Sequence, residues 1–354
     1  MLDPAAIARA RMRAQHLWSS DVKDPQKALT HLVAVQAQEF SYARWSLAQR
    51  SGDPASSVVQ RAFDDGRILR THVLRPTWHF VAPRDLRWLM RLSGPRVIAW
   101  NARRCRDLGL DAKTLAKSND VIAKAVDEQP LTRRALAAVL DRRKLSPDGQ
   151  RMPYMLMRAE LDMILTSGPL EGKQHTYAAF DARVPAAREI NRDQALGRLA
   201  KRYFASRGPA TIKDFSWWSG LPMPDARRAT AIAGRVLTRF DVDGRIYLFA
   251  GEQPSPKAAR SRVDLVQIYD EIAIAYTESR DVLRGDRVNV VVPSNIGGYP
   301  HTILRDGELL GRWKVVRARR DDVRVETQIK ETLDAATQSS LEGAVEKYQR
   351  FATS

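Results

Sequence analysis

Segments with helical hydrophobic periodicity alternate with short β-like segments along most of the chain. Leu29, Leu32 and Val33 recur at helical spacing and predict a helix over residues 25–35. Thr132 and Thr211 stand at positions typical of helix N-caps, each just before a further apolar stripe. The other predicted helices span residues 53–63, 85–108, 130–140, 154–165, 193–206, 209–215 and 226–233.

Three segments rich in β-branched and aromatic residues follow pairs of these helices. Each carries a turn signal and predicts a hairpin: residues 66–82, residues 168–180 and residues 236–250, the last around an Asp-Gly pair. Two helices followed by a hairpin are the winged-helix arrangement, although chance similarity among generic α+β pieces is the alternative. The predicted units are residues 1–84, residues 85–190 with a linker helix, and residues 191–252.

The pattern changes after a Pro/Ser/Lys-rich linker over residues 253–262. Strands are predicted over residues 288–292, 301–304, 309–316 and 323–329, and a closing helix over residues 332–351. Residues 263–354 are therefore predicted to form a small β-rich subdomain. The predicted fold class is α+β.

The charge balance indicates the partner. The chain has 58 Lys and Arg against 41 Asp and Glu, which gives a formal net charge of +17 and a pI near 10.3. Such a chain attracts polyanions, because each cation that meets a phosphate releases a counterion. Combined with three predicted winged-helix units, this favours double-stranded DNA, and we expect a monomer. No apolar run approaches the length of a membrane span, so no membrane contact is expected.

Cysteine usage and the N-terminus indicate the compartment. Cys105 is the single cysteine, which excludes a disulfide framework and a cysteine-based zinc site. The first residues lack the apolar segment of a secretory signal, and Asp3 argues against a transit peptide. We therefore expect a reducing compartment, the cytoplasm, with the protein at the nucleoid.

Several catalytic motifs are missing from the sequence. It contains no P-loop, no dinucleotide-binding glycine pattern, no His-Glu-x-x-His and no strand-turn-helix Gly-x-Ser-x-Gly. The six histidines are not spaced as metal ligands. We expect neither a metal nor a cofactor.

The stretch Val35-Gln36-Ala37-Gln38-Glu39 is unusual, because Gln36 falls on the apolar stripe of the first predicted helix. On a regular helix, side chains two residues apart point in nearly opposite directions. The two amides can converge only if the helix ends or opens near Ala37. Alternatively, they are structural and cap loose backbone groups at the helix end.

Four segments resemble the AlkZ-like branch of the AlkZ/YcaQ family of DNA glycosylases. They are residues 32–39 (LVAVQAQE), 69–81 (LRTHVLRPTWHFV), 167–177 (SGPLEGKQHTY) and 207–220 (RGPATIKDFSWWSG). The resemblance runs in the same order from about residue 5 to about residue 320. It implies three tandem winged-helix units around a basic concave surface. It also implies excision of N7-alkylated purines, unhooking of interstrand crosslinks, and a catalytic Gln-x-Gln pair at Gln36 and Gln38.

The chemistry agrees with a pair of glutamines. An amide has no proton-accepting pKa in the usable range, so it acts only through hydrogen-bond geometry and its dipole. An N7-alkylated purine is positively charged and leaves as a neutral base, so positioning a water at C1′ and stabilising the oxocarbenium are sufficient. No lysine stands out as a nucleophile, which favours a monofunctional enzyme. The alternative is a winged-helix transcription regulator without catalytic activity.

A crosslinked base cannot be swung out fully, because it stays tethered to the opposite strand. An inserted hairpin would suit such a substrate, and the hairpins at residues 66–82 and 168–180 are the two candidates. The side chains expected to contact DNA are Arg70, Arg75, Thr77, His79, Lys173 and His175.

Overall fold

Helices and antiparallel strand pairs alternate along the chain, and the predicted α+β class is confirmed. The computed structural model describes residues 3–18, 21–251, 261–283, 298, 300–319 and 322–354. These residues form two units, one from Met1–Gln60 with Leu196–Ser354 and one from Arg61–Ala195. The extents of the three winged-helix units stay a prediction.

Capped helices open the first unit. Asp3 and Asp24 each accept a backbone N–H in the first turn of the helix that follows, and a proline occupies the first position of both helices. This arrangement satisfies amides that have no partner inside the helix. The elements are α1 (Pro4–Ala14), α2 (Pro25–Leu32), β1 (Ala34–Gln36), α3 (Phe40–Ala48) and α4 (Ser56–Asp64), and α4 continues into the second unit.

The second unit contains two small antiparallel sheets and a helical core. Strands β2 and β3 form the predicted first hairpin, in which Thr71 stands opposite His79. Thr132 caps its helix as predicted, accepting the N–H of Ala135 at 3.2 Å. The elements are β2 (Leu69–His72), β3 (Trp78–Val81), α5 (Pro83–Asp107), α6 (Ala112–Val126), β4 (Leu131–Thr132), α7 (Arg133–Arg142), α8 (Arg151–Leu161), β5 (Leu165–Ser167), β6 (Thr176–Ala179) and α9 (Phe180–Arg183).

The chain returns to the first unit along a long helix. Thr211 and Asp214 form a capping box at the start of α11, which confirms the predicted cap. Asp243 and Gly244 both have positive φ, as the predicted two-residue hairpin turn requires. These elements are α10 (Arg192–Arg207), α11 (Ile212–Ser219), α12 (Met223–Ala233), β7 (Thr238–Val242) and β8 (Arg245–Phe249).

A four-stranded antiparallel sheet with strand order β12-β11-β10-β9 completes the first unit. Trp45 of α3 packs against Tyr348 and Phe351 of the last helix, with ring centroids 5.2 Å apart in both pairs. The remaining elements are β9 (Val263–Val266), α13 (Glu271–Ile274), β10 (His301–Arg305), β11 (Glu308–Arg319), β12 (Asp322–Ile329) and α14 (Ala335–Thr353). The strand predicted over residues 288–292 and most of the predicted linker lie outside the described residues.

Some predicted boundaries are wrong. The helix predicted over residues 25–35 ends at Leu32, and the next residues form a strand. The helix predicted over residues 154–165 is α8, which begins at Arg151 and ends at Leu161. Helices α3 and α6 were not expected from the hydrophobic pattern. Within the described ranges, no helix has the length and apolar character needed to cross a bilayer.

One buried histidine should make the first unit sensitive to acid. Burial lowers the pKa of His301 from its ordinary value of 6.5 to about 4. Its Nδ1 accepts the N–H of Ile268 at 3.2 Å, a hydrogen bond that exists only while this nitrogen is unprotonated. Because the unfolded chain binds the proton first, the stability contributed by neutral His301 is present above pH 6.5 and lost as the pH falls toward 4.

We expect the Tm to fall between about pH 7 and about pH 5, and His301→Gln to reduce that fall. Glutamine can still accept from Ile268 but does not ionise. Burial also lowers the pKa of His31 to about 4, so the variant should keep part of the pH dependence. Thermal melting across the pH series checks this. Parallel Tm curves for the two proteins would contradict the assignment to His301.

Candidate active site

The backbone at Val33 decides where the two glutamines lie. Val33 ends α2 with φ 70° and ψ −56°, an uncommon conformation for a β-branched residue. The chain turns there into the extended segment Ala34–Gln36. On a helix, side chains two residues apart point in nearly opposite directions. The predicted obstacle to convergence of Gln36 and Gln38 therefore does not arise, because the helix has already ended.

The two amides differ in exposure. Gln36 is 7% exposed, whereas Gln38 lies at the surface. Gln36 is the last residue of β1, and Gln38 lies in the short connection before helix α3 begins at Phe40. This arrangement offers one buried amide and one amide that a large substrate can reach.

A buried carboxylate holds the backbone of Gln36. Oε1 of Glu271 accepts the Gln36 N–H at 2.8 Å, and Oε2 accepts from Arg207 Nη2 at 2.7 Å. Arg207 and Glu271 both have 0% side-chain exposure. No pattern in the sequence marks these two residues as part of the site, although Arg207 opens one of the segments that resemble the glycosylase family.

In the first hairpin, only some of the side chains predicted to contact DNA reach the surface. Arg70 lies with its guanidinium carbon 4.3 Å from the ring centroid of Trp78, and Arg75 and Thr77 are half-buried. His79 has 0% exposure, and its Nδ1 lies 2.9 Å from the carbonyl oxygen of Thr77. All four DNA contacts stay predictions, and the burial of His79 argues for a supporting role rather than a direct contact.

The second hairpin is more open at its tip. Lys173 is exposed and follows Gly172, whose φ of 62° makes the tight turn. His175 is half-buried, with its ring centroid 6.2 Å from that of Phe63. Of the two side chains in this hairpin that are predicted to contact DNA, Lys173 is the more exposed and the better placed to reach a phosphate.

A histidine–carboxylate pair in the second unit was also missed. His72 Nδ1 lies 2.5 Å from Oε2 of Glu160, whose side chain has 0% exposure. The sequence shows no signal for this pair, because the two residues meet only through the packing of α8 against β2. In the part of the chain that the structure describes, no group of three His, Cys, Asp or Glu could hold a metal ion.

Comparison with known proteins identifies the class of enzyme. A family profile described as DNA glycosylase AlkZ-like matches residues 29–351. The chain therefore belongs to the AlkZ-like DNA glycosylases, enzymes that hydrolyse N-glycosyl bonds.

Two further matches come from Streptomyces sahachiroi. Its interstrand DNA cross-link repair glycosylase is 24% identical over 323 residues, which cover 86% of each chain. The solved structure of its DNA glycosylase AlkZ matches with a TM-score of 0.81 and 20% identity, covering 98% of this chain and 96% of that one. The structural likeness shows a shared fold.

Removal of a hairpin cation that contacts a phosphate should change how DNA affinity depends on salt. We expect Arg75→Ala and Lys173→Ala each to weaken duplex binding and to reduce the slope of log affinity against log salt by about 0.9. Binding titrations over a series of salt concentrations measure both quantities. Lys117→Ala, which removes one charge from an exposed position on α6, is the control. An equal change in the control would mean that the slope reports net charge and not a contact.

Proposed function

We propose that this protein is a monofunctional DNA glycosylase that hydrolyses the N-glycosidic bond of N7-alkylated purines in duplex DNA. Gln36 and Gln38 would be its catalytic residues. The observation that carries the proposal is the end of α2 at Leu32, which removes the helical geometry in which amides two residues apart point in nearly opposite directions. Family membership favours this enzyme over a winged-helix transcription regulator.

The proposed chemistry needs no proton donor. The alkylated base carries a positive charge and leaves neutral, so bond cleavage transfers positive charge to the sugar as an oxocarbenium ion. The carbonyl oxygens of the two amides would stabilise that charge and position a water at C1′. Fixed dipoles of this kind act without the reorganisation that bulk water requires. An uncharged purine is a poorer leaving group and should be a poor substrate.

The exposure of Gln38 supports action on crosslinked DNA. A crosslinked base remains tethered to the opposite strand, so it cannot enter a closed cavity. An amide that stands at the protein surface can meet a base that stays in or near the duplex. The Streptomyces sahachiroi relative is named an interstrand cross-link repair glycosylase. We therefore include interstrand crosslinks among the proposed substrates.

The double variant Gln36→Ala/Gln38→Ala tests the catalytic assignment. We expect the double variant to stay folded, because removing both amides takes away donor and acceptor together, and to bind duplex DNA nearly as the wild type does. The excision rate of N7-methylguanine should fall roughly 10²–10³-fold, which corresponds to about 3–4 kcal/mol. The assay incubates an N7-methylguanine duplex with the protein under single-turnover conditions and then cuts the abasic sites with alkali.

Gln49→Ala is the matched control. Gln49 is a buried glutamine in the same unit, and its amide donates to the Leu265 carbonyl at 3.1 Å. Its loss should lower the Tm and leave excision by the folded protein unchanged. If the motif variant melts lower but its folded fraction excises at the wild-type rate, the pair is structural. Strand cleavage without alkali would contradict the monofunctional assignment.

A further inference from the structure

We infer that Arg207 and Glu271 are positioning residues of the glycosylase reaction, which hold the backbone of residues 32–36 so that the two amides meet the sugar. This inference rests on the proposed catalytic role of Gln36 and Gln38. Neither buried side chain can touch the DNA itself, because both have 0% exposure.

The Arg207 guanidinium fixes the backbone on both sides of the turn at Val33. Its Nη1 donates to the carbonyl of Leu32 and its Nη2 to the carbonyl of Ala34, each at 2.7 Å. The residue between these two carbonyls has the positive φ that a β-branched side chain disfavours. Such conformations persist only where their surroundings over-determine them, and they cluster at functional sites. The planar, rigid fork of arginine suits two carbonyl acceptors in a way that lysine cannot reproduce.

Glu271 joins this guanidinium to the motif. Its Oε2 accepts from Arg207 Nε at 3.0 Å, from Arg207 Nη2 at 2.7 Å and from Trp218 Nε1 at 2.9 Å. Its Oε1 accepts the N–H of Gln36 at 2.8 Å. Both carboxylate oxygens therefore face donors. An amide in this place would have to turn its NH₂ group toward one set of these donors, so glutamine cannot satisfy both sets.

The whole arrangement is buried and packed. The guanidinium carbon of Arg207 lies 4.3 Å from the ring centroid of Trp218, and Tyr276 donates its hydroxyl hydrogen to the Arg207 carbonyl at 2.8 Å. A buried ion pair is often no more stabilising than apolar residues of the same volume. A gain in stability therefore explains the presence of this ion pair poorly. Its hydrogen bonds to three backbone groups of residues 32–36 explain it better, because they fix the backbone that leads into the catalytic motif.

Two conservative variants test the inference. We expect Glu271→Gln and Arg207→Lys to bind undamaged duplex as the wild type does. Their single-turnover rate of N7-methylguanine excision at saturating enzyme should fall roughly 10- to 100-fold, because a small misplacement of a positioned group has effects of that size. Thermal melting sets an assay temperature at which every variant is folded. Wild-type rates in both folded variants would overturn the inference.

Arg183→Lys controls for the loss of an arginine that holds backbone carbonyls. Arg183 is half-buried in the second unit and donates to the carbonyls of Phe63 at 2.8 Å and Asp64 at 3.1 Å. This variant should lower the Tm, with no loss of excision rate by folded protein. If neither principal variant folds, Trp218→Phe removes one donor to Glu271 and keeps most of the ring packing. It should lower the rate a few-fold, and an unchanged rate would overturn the inference.

A double-mutant cycle with Gln36→Ala separates this inference from the proposed function. If Glu271 acts through Gln36, then Glu271→Gln should cost much less in the Gln36→Ala background than in the wild type. Full additivity of the two losses would overturn the positioning role while leaving the amides catalytic. A normal rate in Gln36→Ala/Gln38→Ala would instead refute the proposed function.

Discussion

The buried ion pair between Arg207 and Glu271 is the contact on which the geometry of the glutamine motif depends. Arg207 donates to the carbonyl on each side of Val33, and Glu271 accepts the N–H of Gln36. These backbone groups lie where a helix changes into a strand, and the turn between them has a conformation that the local sequence disfavours. Because the pair is fully buried, water cannot compete for its hydrogen bonds, so the turn is held in one arrangement.

Dependence on a fixed backbone follows from the chemistry proposed for the amides. A general acid or base contributes by transferring a proton, at a pKa that its surroundings tune. An amide contributes only where its dipole points, because it exchanges no proton in the usable pH range. An enzyme that relies on two amides therefore needs a rigid support for them. The charged pair of Arg207 and Glu271 holds the backbone of the motif, and the two amides themselves are neutral.

Local chemistry explains why much of the fold was predictable. Thr132 and Thr211 cap helices because their side chains accept free backbone N–H groups of the first turn. The Asp-Gly pair forms a two-residue turn because both residues readily adopt the positive φ that this turn requires. The end of α2 was not predictable in this way. No glycine or proline marks the end of this helix. The helical spacing of Leu29 and Leu32 extends to Gln36, so the pattern predicts that the helix continues. Arg207, which lies far away in the sequence, holds this turn through hydrogen bonds to the carbonyls of Leu32 and Ala34.

The sequence by itself determined the α+β class, the hairpins, the positive charge and, through resemblance, the family, and it predicts the Gln-x-Gln pair. These properties reside in local periodicity, in turn residues and in composition, all of which short stretches of chain express on their own. The tertiary structure alone decided that Gln36 is anchored while Gln38 is exposed, that His79 is buried, and that Glu271 and Arg207 support the motif. Burial and long-range hydrogen bonds depend on which distant segments meet, and no local pattern specifies that.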